Sequence, residues 1–135
     1  MKKLSFLFFV LVFISSCGGN GFDAEAEKNK IFDVHDEVMP KMGELMNLKR
    51  KVMEKAGEME SEQTNELRDL AKELDDASES MMSWMRDWSK NSAEYLNMKN
   101  GAEEQKAYLA NEMKKVEEVK KSINDALAKA KAALK

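Results

Sequence analysis

Proline occurs once and glycine six times in 135 residues. A sandwich or barrel needs turn residues roughly every 8–12 positions, so these scarcities exclude both. A single cysteine excludes a disulfide framework and any cysteine-based zinc site. One histidine, His35, leaves little scope for triad chemistry, and there is no glycine-rich phosphate loop or recognisable nucleophile motif. The acidic pairs Asp75-Asp76, Glu103-Glu104 and Glu117-Glu118 are adjacent in sequence and point differently round a helix, so spacing makes no general acid–base pair of them. The run Lys49-Arg50-Lys51 is short and reads as a solvated face. No basic face dominates, which argues against nucleic acid as a partner. The chain therefore reads as a non-enzyme with no resident cofactor.

What is present points to helices. Ala, Glu, Lys and Leu recur in long runs, there are eleven methionines, and a 43% hydrophobic content is too high for a disordered chain. One domain is expected at this length.

The N-terminus has the order of an export signal. Lys2 and Lys3 precede Leu4 to Ile14, a run apolar apart from Ser5. That run is about half the roughly 20 residues needed to span a bilayer, so it predicts a signal peptide and not a transmembrane helix. Ile14-Ser15-Ser16-Cys17 resembles the lipobox of bacterial lipoproteins. The resemblance implies thioether lipidation of Cys17, cleavage after Ser16 and acylation of the new N-terminus, typically with a palmitate-like chain. Two or more acyl chains give stable anchoring where one does not. The expected organisation is a signal peptide over 1–16, a lipidated Cys17 with a Gly-rich tether over 17–23, and a bundle over 24–135. The mature chain would have 119 residues, with 20 basic against 25 acidic side chains. Its second residue, Gly18, is not Asp, which by analogy with enterobacterial sorting places it at the outer membrane of the cell envelope.

Three apolar stripes follow. Ile31, Val34, Val38, Met42, Leu45, Leu48 and Val52 predict a first helical segment over Asp23–Lys55, kinked or broken near Val38-Met39 by Pro40. Gly57 to Ser61 reads as a turn with Ser61 as N-cap. Leu67, Leu70, Leu74, Ala77, Met81, Trp84 and Trp88 alternate steps of three and four and predict a second segment over Glu62–Lys90. Asn91 to Gly101 reads as a polar connection onto which Tyr95 and Leu96 dock, and Asn100 with Glu103 has capping-box spacing. Leu109, Met113, Val116, Val119, Ile123, Leu127, Ala130 and Leu134 predict a third helix from Ala102. The fold class is all-α: an up-down-up three-helix bundle with coiled-coil-like packing. An open hairpin or an oligomer has the same periodicity, so the oligomeric state stays open.

Two motifs, His35-Asp36-Glu37-Val38-Met39-Pro40-Lys41-Met42-Gly43-Glu44-Leu45 and Met81-Met82-Ser83-Trp84-Met85-Arg86-Asp87-Trp88, occur ahead of Glu117-Glu118-Val119-Lys120-Lys121-Ser122-Ile123. Together they resemble a group of small uncharacterised helical lipoproteins of Bacteroidota, sometimes labelled viral A-type inclusion repeat proteins. The likeness covers about Ile31 to Leu134. It implies an exported, anchored helical protein and no particular activity.

Two candidate sites remain. Met39, Met42 and Met46 follow His35 by four, seven and eleven residues, near one helical face. Imidazole and thioether ligands with a nearby indole suit Cu(I) or Ag(I). The competing reading is that methionine fills core gaps and that His35 caps the kink or pairs with Asp36 or Glu37. Met82, Trp84, Met85 and Trp88 are the candidate interaction residues for an envelope protein partner, although Trp84 and Trp88 fall on the core seam. The function expected is thus a membrane-anchored structural or interaction module. A periplasmic Cu(I)/Ag(I)-binding protein using His35 and methionine residues and a holdase-type envelope chaperone are the alternatives.

Overall fold

A computed structural model describes residues 21–57 and 63–135. The expected signal peptide, Cys17 and the Ser61 cap lie outside those residues. The described chain is helical: α1 (Ala24–Val38), a 3-10 turn (Met39–Lys41), α2 (Met42–Gly57), α3 (Gln63–Leu96) and α4 (Ala102–Ala133).

α1 begins where a side chain satisfies its free amides. Asp23 Oδ1 accepts hydrogen bonds from the backbone N–H of Glu25 (3.0 Å) and Ala26 (3.1 Å). Glu25 and Glu27 in the first turn add negative charge at the positive end of the helix dipole. Phe22, just ahead of the helix, packs on the core. Pro40 has no N–H to continue the ladder, and the backbone tightens into the 3-10 turn as the sequence predicted. α1 and α2 are therefore two halves of one interrupted arm.

Cross-links set the topology. Lys49 of α2 meets Asp75 of α3 at 2.7 Å, and Trp84 of α3 meets Glu112 of α4 at 3.0 Å, while Lys129 of α4 meets Glu73 of α3 at 2.6 Å. Residue numbers rise on one helix as they fall on its partner, from 84–112 to 73–129 against α4 and from 35–85 to 49–75 against the α1–α2 arm, so α3 is antiparallel to both neighbours. Lys120 meets Glu37 at 2.5 Å and Lys131 meets Glu44 at 2.7 Å, which makes α4 parallel to the α1–α2 arm. The three rods close on one another as an up-down-up bundle. α4, with 32 residues, is roughly 48 Å long at 1.5 Å per residue. Among the described residues, no helix is long and apolar enough to cross a membrane.

One continuous core runs along the axis, with Ile31, Leu45, Leu74, Met81, Leu109 and Ile123 among its fully buried side chains. Burying each such side chain contributes about 1.5–3 kcal/mol, against the entropy of ordering it. The ion pairs on the outside are mostly half-exposed and contribute about 0–1 kcal/mol each. Lys120 donates a hydrogen bond to Glu37 and holds its carboxyl below the usual carboxylate range.

Two expectations are corrected. The helix does not stop at Lys90: α3 continues to Leu96, because Tyr95 and Leu96 extend its apolar face past Asn91, Ser92, Ala93 and Glu94. The Asn100–Glu103 capping box does not form either. Gly101 is the N-cap of α4, and no side chain caps it. The turn is braced by Gln105, whose Nε2 donates to the carbonyls of Leu96 (3.3 Å) and Met98 (3.1 Å). The Met98 side chain folds over Gly101, where an added Cβ would stand 2.8 Å from its sulfur.

Candidate functional site

The chemically distinctive side chains collect between α1, α3 and α4, in the half of the bundle that holds the α3–α4 turn. Trp84 comes from the buried face of α3, one turn before the half-buried Trp88. Phe32 meets Trp88 edge to face at 5.3 Å between centroids, and Trp88 meets Tyr108 at 5.9 Å. Tyr108 then stacks on Tyr95 at 4.2 Å with the rings 4° from parallel. Such pairs contribute about 0.5–1.5 kcal/mol each beyond area burial. They tie the extended end of α3 to both neighbouring helices.

Two polar groups are buried within this cluster. Glu112 is only 3% exposed, accepts the Trp84 indole N–H at 3.0 Å and pairs with Lys115 at 2.7 Å. The carboxylate is thus held by one neutral and one charged donor, as a buried charge requires. The Tyr108 hydroxyl is buried and has no hydrogen-bond partner among the described residues. Burial pushes this phenol up to about 12, and the negative potential of Glu112, Tyr95 and Asp87 acts in the same direction.

His35 lies at the edge of the cluster, its side chain 17% exposed. Its Nδ1 is 2.8 Å from Asp36 Oδ1, and its Nε2 is 3.2 Å from the sulfur of Met85 on α3. The Trp84 ring lies beside the imidazole, 5.8 Å between centroids. The pairing with Asp36 was anticipated; the approach to Met85 was not.

The four residues read as one soft-ligand face differ in exposure, His35 being largely covered. Met39 and Met42 are half-buried against the core, whereas Met46 is 48% exposed on α2. The interaction residues divide too. Trp84 is buried and occupied by Glu112, so it offers no open surface. Met82 and Met85 line a shallow groove with Arg86, Ser89 and Lys90. A larger depression of about 600 Å³ lies at the opposite end, walled by Lys55, Glu66, Asp69, Glu73 and Lys129 among others. Among the described residues, no group of three or more His, Cys, Asp and Glu side chains is placed to hold a metal ion. No protein-family model, curated protein or solved structure matches this chain.

Proposed function

We propose that this is a lipid-anchored envelope protein, held in the outer membrane through Cys17, whose helical bundle works as a structural or protein-interaction module without catalytic activity. The observation that carries the reading is the join between two parts. A lipobox-like Ile14-Ser15-Ser16-Cys17 and a Gly18-Gly19 tether lead directly into a bundle whose apolar stripes are covered by one another. A rod of roughly 48 Å on a short tether reaches away from a membrane surface. The groove beside Met82 and Met85 is the surface best suited to a partner, because methionine adapts to varied shapes. The likeness to small helical lipoproteins of Bacteroidota is in keeping with this reading.

The test is metabolic labelling with palmitate in a bacterial host that processes lipoproteins. The wild-type chain incorporates label and fractionates with outer membrane. Cys17→Ser abolishes the label and leaves uncleaved precursor. A Cys17→Ser chain that matures normally and stays membrane-bound would defeat the anchor. A photo-crosslinker at position 82 gives one discrete envelope adduct, lost when Met85 is replaced by Asp. A partner-free protein gives only diffuse adducts.

A further inference from the structure

We propose that Met46 and Met53, on the outer face of α2, are oxidation sites: each takes an oxygen atom from a peroxide-class oxidant and becomes a sulfoxide while the bundle stays folded. The argument starts from where this chain puts its thioethers. Methionine is among the side chains most often fully buried in folded proteins. Among the described residues Met81 alone is buried, and the apolar core otherwise consists of Ala, Leu, Ile, Val and Trp84. Met39, Met42, Met85 and Met113 pack half-buried against that core. The sulfur of Met85 is covered further by the His35 ring at 3.2 Å, and Met98 folds its sulfur over Gly101. Met82 is half-buried along the groove on α3. Met46 and Met53 differ from all of these, being 48% and 45% exposed and standing apart from the core.

The two lie seven residues apart, on one face of α2. Arg50 falls between them, four residues after Met46 and three before Met53, within reach of both on a helix surface. Its guanidinium bonds Glu54 and Asn47 and has further N–H donors. In the oxidation, a sulfur lone pair attacks one oxygen of hydrogen peroxide. The S–O bond forms as the O–O bond breaks, giving a protonated sulfoxide and hydroxide. The proton passes to the hydroxide, which leaves as water. Sulfur loses two electrons and the peroxide gains them. The new oxygen is a polar acceptor that needs donors. At Met46 and Met53, water and the Arg50 N–H groups supply them. In the core nothing does, and a buried unpaired acceptor opposes folding. A thiol-dependent sulfoxide reductase reverses the step: two thiols become a disulfide, and the oxygen leaves as water. The pair is thus a renewable sink for peroxide on the surface of the bundle.

The sites are independent of the membrane anchor and are tested without it. The full chain carrying Cys17→Ser, which removes the competing thiol, is held in detergent and treated with hydrogen peroxide. Peptide mass spectrometry reads each methionine. Met46 and Met53 gain oxygen at rates within about threefold of free methionine. Met81 lags by at least about a hundredfold, because a buried sulfur reacts only when the fold opens. With both sulfoxides formed, the helical spectrum and the urea midpoint match those of untreated protein, and reductase with a dithiol restores both thioethers. The double variant Met46→Leu, Met53→Leu removes about two oxygen equivalents from the fast phase. It keeps the fold, because leucine is close to methionine in volume and both positions are exposed. Met85→Leu leaves the fast phase unchanged. Equal rates at Met46, Met53 and Met81 overturn the proposal, as does full fast-phase uptake in the double variant. Loss of helix once the two sulfoxides form also overturns it, because the positions are then points of damage. So do sulfoxides that resist the reductase on the folded protein.

Discussion

The buried pair of Trp84 and Glu112 offers the sharpest test of how this bundle holds together. Glu112 is 3% exposed, and its carboxylate has the Trp84 indole on one oxygen and Lys115 on the other. Lys115 is nearly half-exposed, so solvent screens its share. The indole bond is the better shielded of the two. Trp84→Phe removes that donor and leaves the carboxylate underpaired. Losing a hydrogen bond to a charged group costs about 1.5–3 kcal/mol, and the smaller ring adds about 1 kcal/mol of lost packing. The expected destabilisation is about 2.5–4 kcal/mol. Glu112→Leu removes the charge but leaves the indole N–H buried without an acceptor, at about 1–3 kcal/mol. With both replaced, no polar group remains unpaired. The double variant is therefore less destabilised than the sum by about 1–2 kcal/mol. Urea unfolding of the four proteins, with unchanged m-values, measures this directly. Additivity within about 0.5 kcal/mol would refute the reasoning, because the two side chains would then contribute independently.

Three further predictions follow from single positions. Tyr108→Phe deletes a buried, unpartnered hydroxyl and is neutral or stabilising by up to about 1 kcal/mol in urea unfolding. The same phenol ionises near 12 when folded but near 10 when unfolded, so above pH 10 the unfolded state releases its proton first. Its contribution is intact below pH 10 and lost as pH rises towards 12; phenolate absorbance follows the step, which Tyr108→Phe removes. Leu74→Asp puts a charge at a fully buried core position and abolishes the cooperative thermal transition, since cavity and unpaired charge together exceed about 4 kcal/mol. Pro40→Ala gains helix propensity but gives the unfolded chain more freedom, and the turn is already interrupted, so stability changes by less than about 1 kcal/mol while the far-ultraviolet helix signal rises slightly. A loss above about 2 kcal/mol would mean that packing requires the break.

The three packed rods, their apolar faces and the interruption at Pro40 were all legible in the chain, because each depends on local spacing and local backbone chemistry. The end of α3 was misread for a local reason as well. Polarity over residues 91–94 was weighed above the apolar positions Trp88, Tyr95 and Leu96, which are seven and eight residues apart and continue one face. The burial of Glu112 carried a signal that hydropathy alone conceals. The buried positions Leu109, Glu112, Val116, Val119, Ile123, Ala126 and Ala130 alternate steps of three and four. Met113 was preferred to Glu112 because it is apolar, although the arithmetic of the stripe lands on the glutamate.

The meeting of His35 with Met85 is of another kind. The two are fifty residues apart on different helices, and their contact depends on the register between α1 and α3. That register is set where the aromatic rings of both helices interlock, Phe32 against Trp88 and His35 against Trp84. Periodicity assigns a residue to a face of its own helix but says nothing about which turn of a neighbour it will oppose. The spacing of His35, Met39, Met42 and Met46 accordingly suggested a site along one helix. The interruption at Pro40 places Met46 on α2, where it faces solvent, and the imidazole meets a methionine across the interface instead. The histidine and the methionines were visible in the sequence, whereas the contact between His35 and Met85 exists only once two helices have packed.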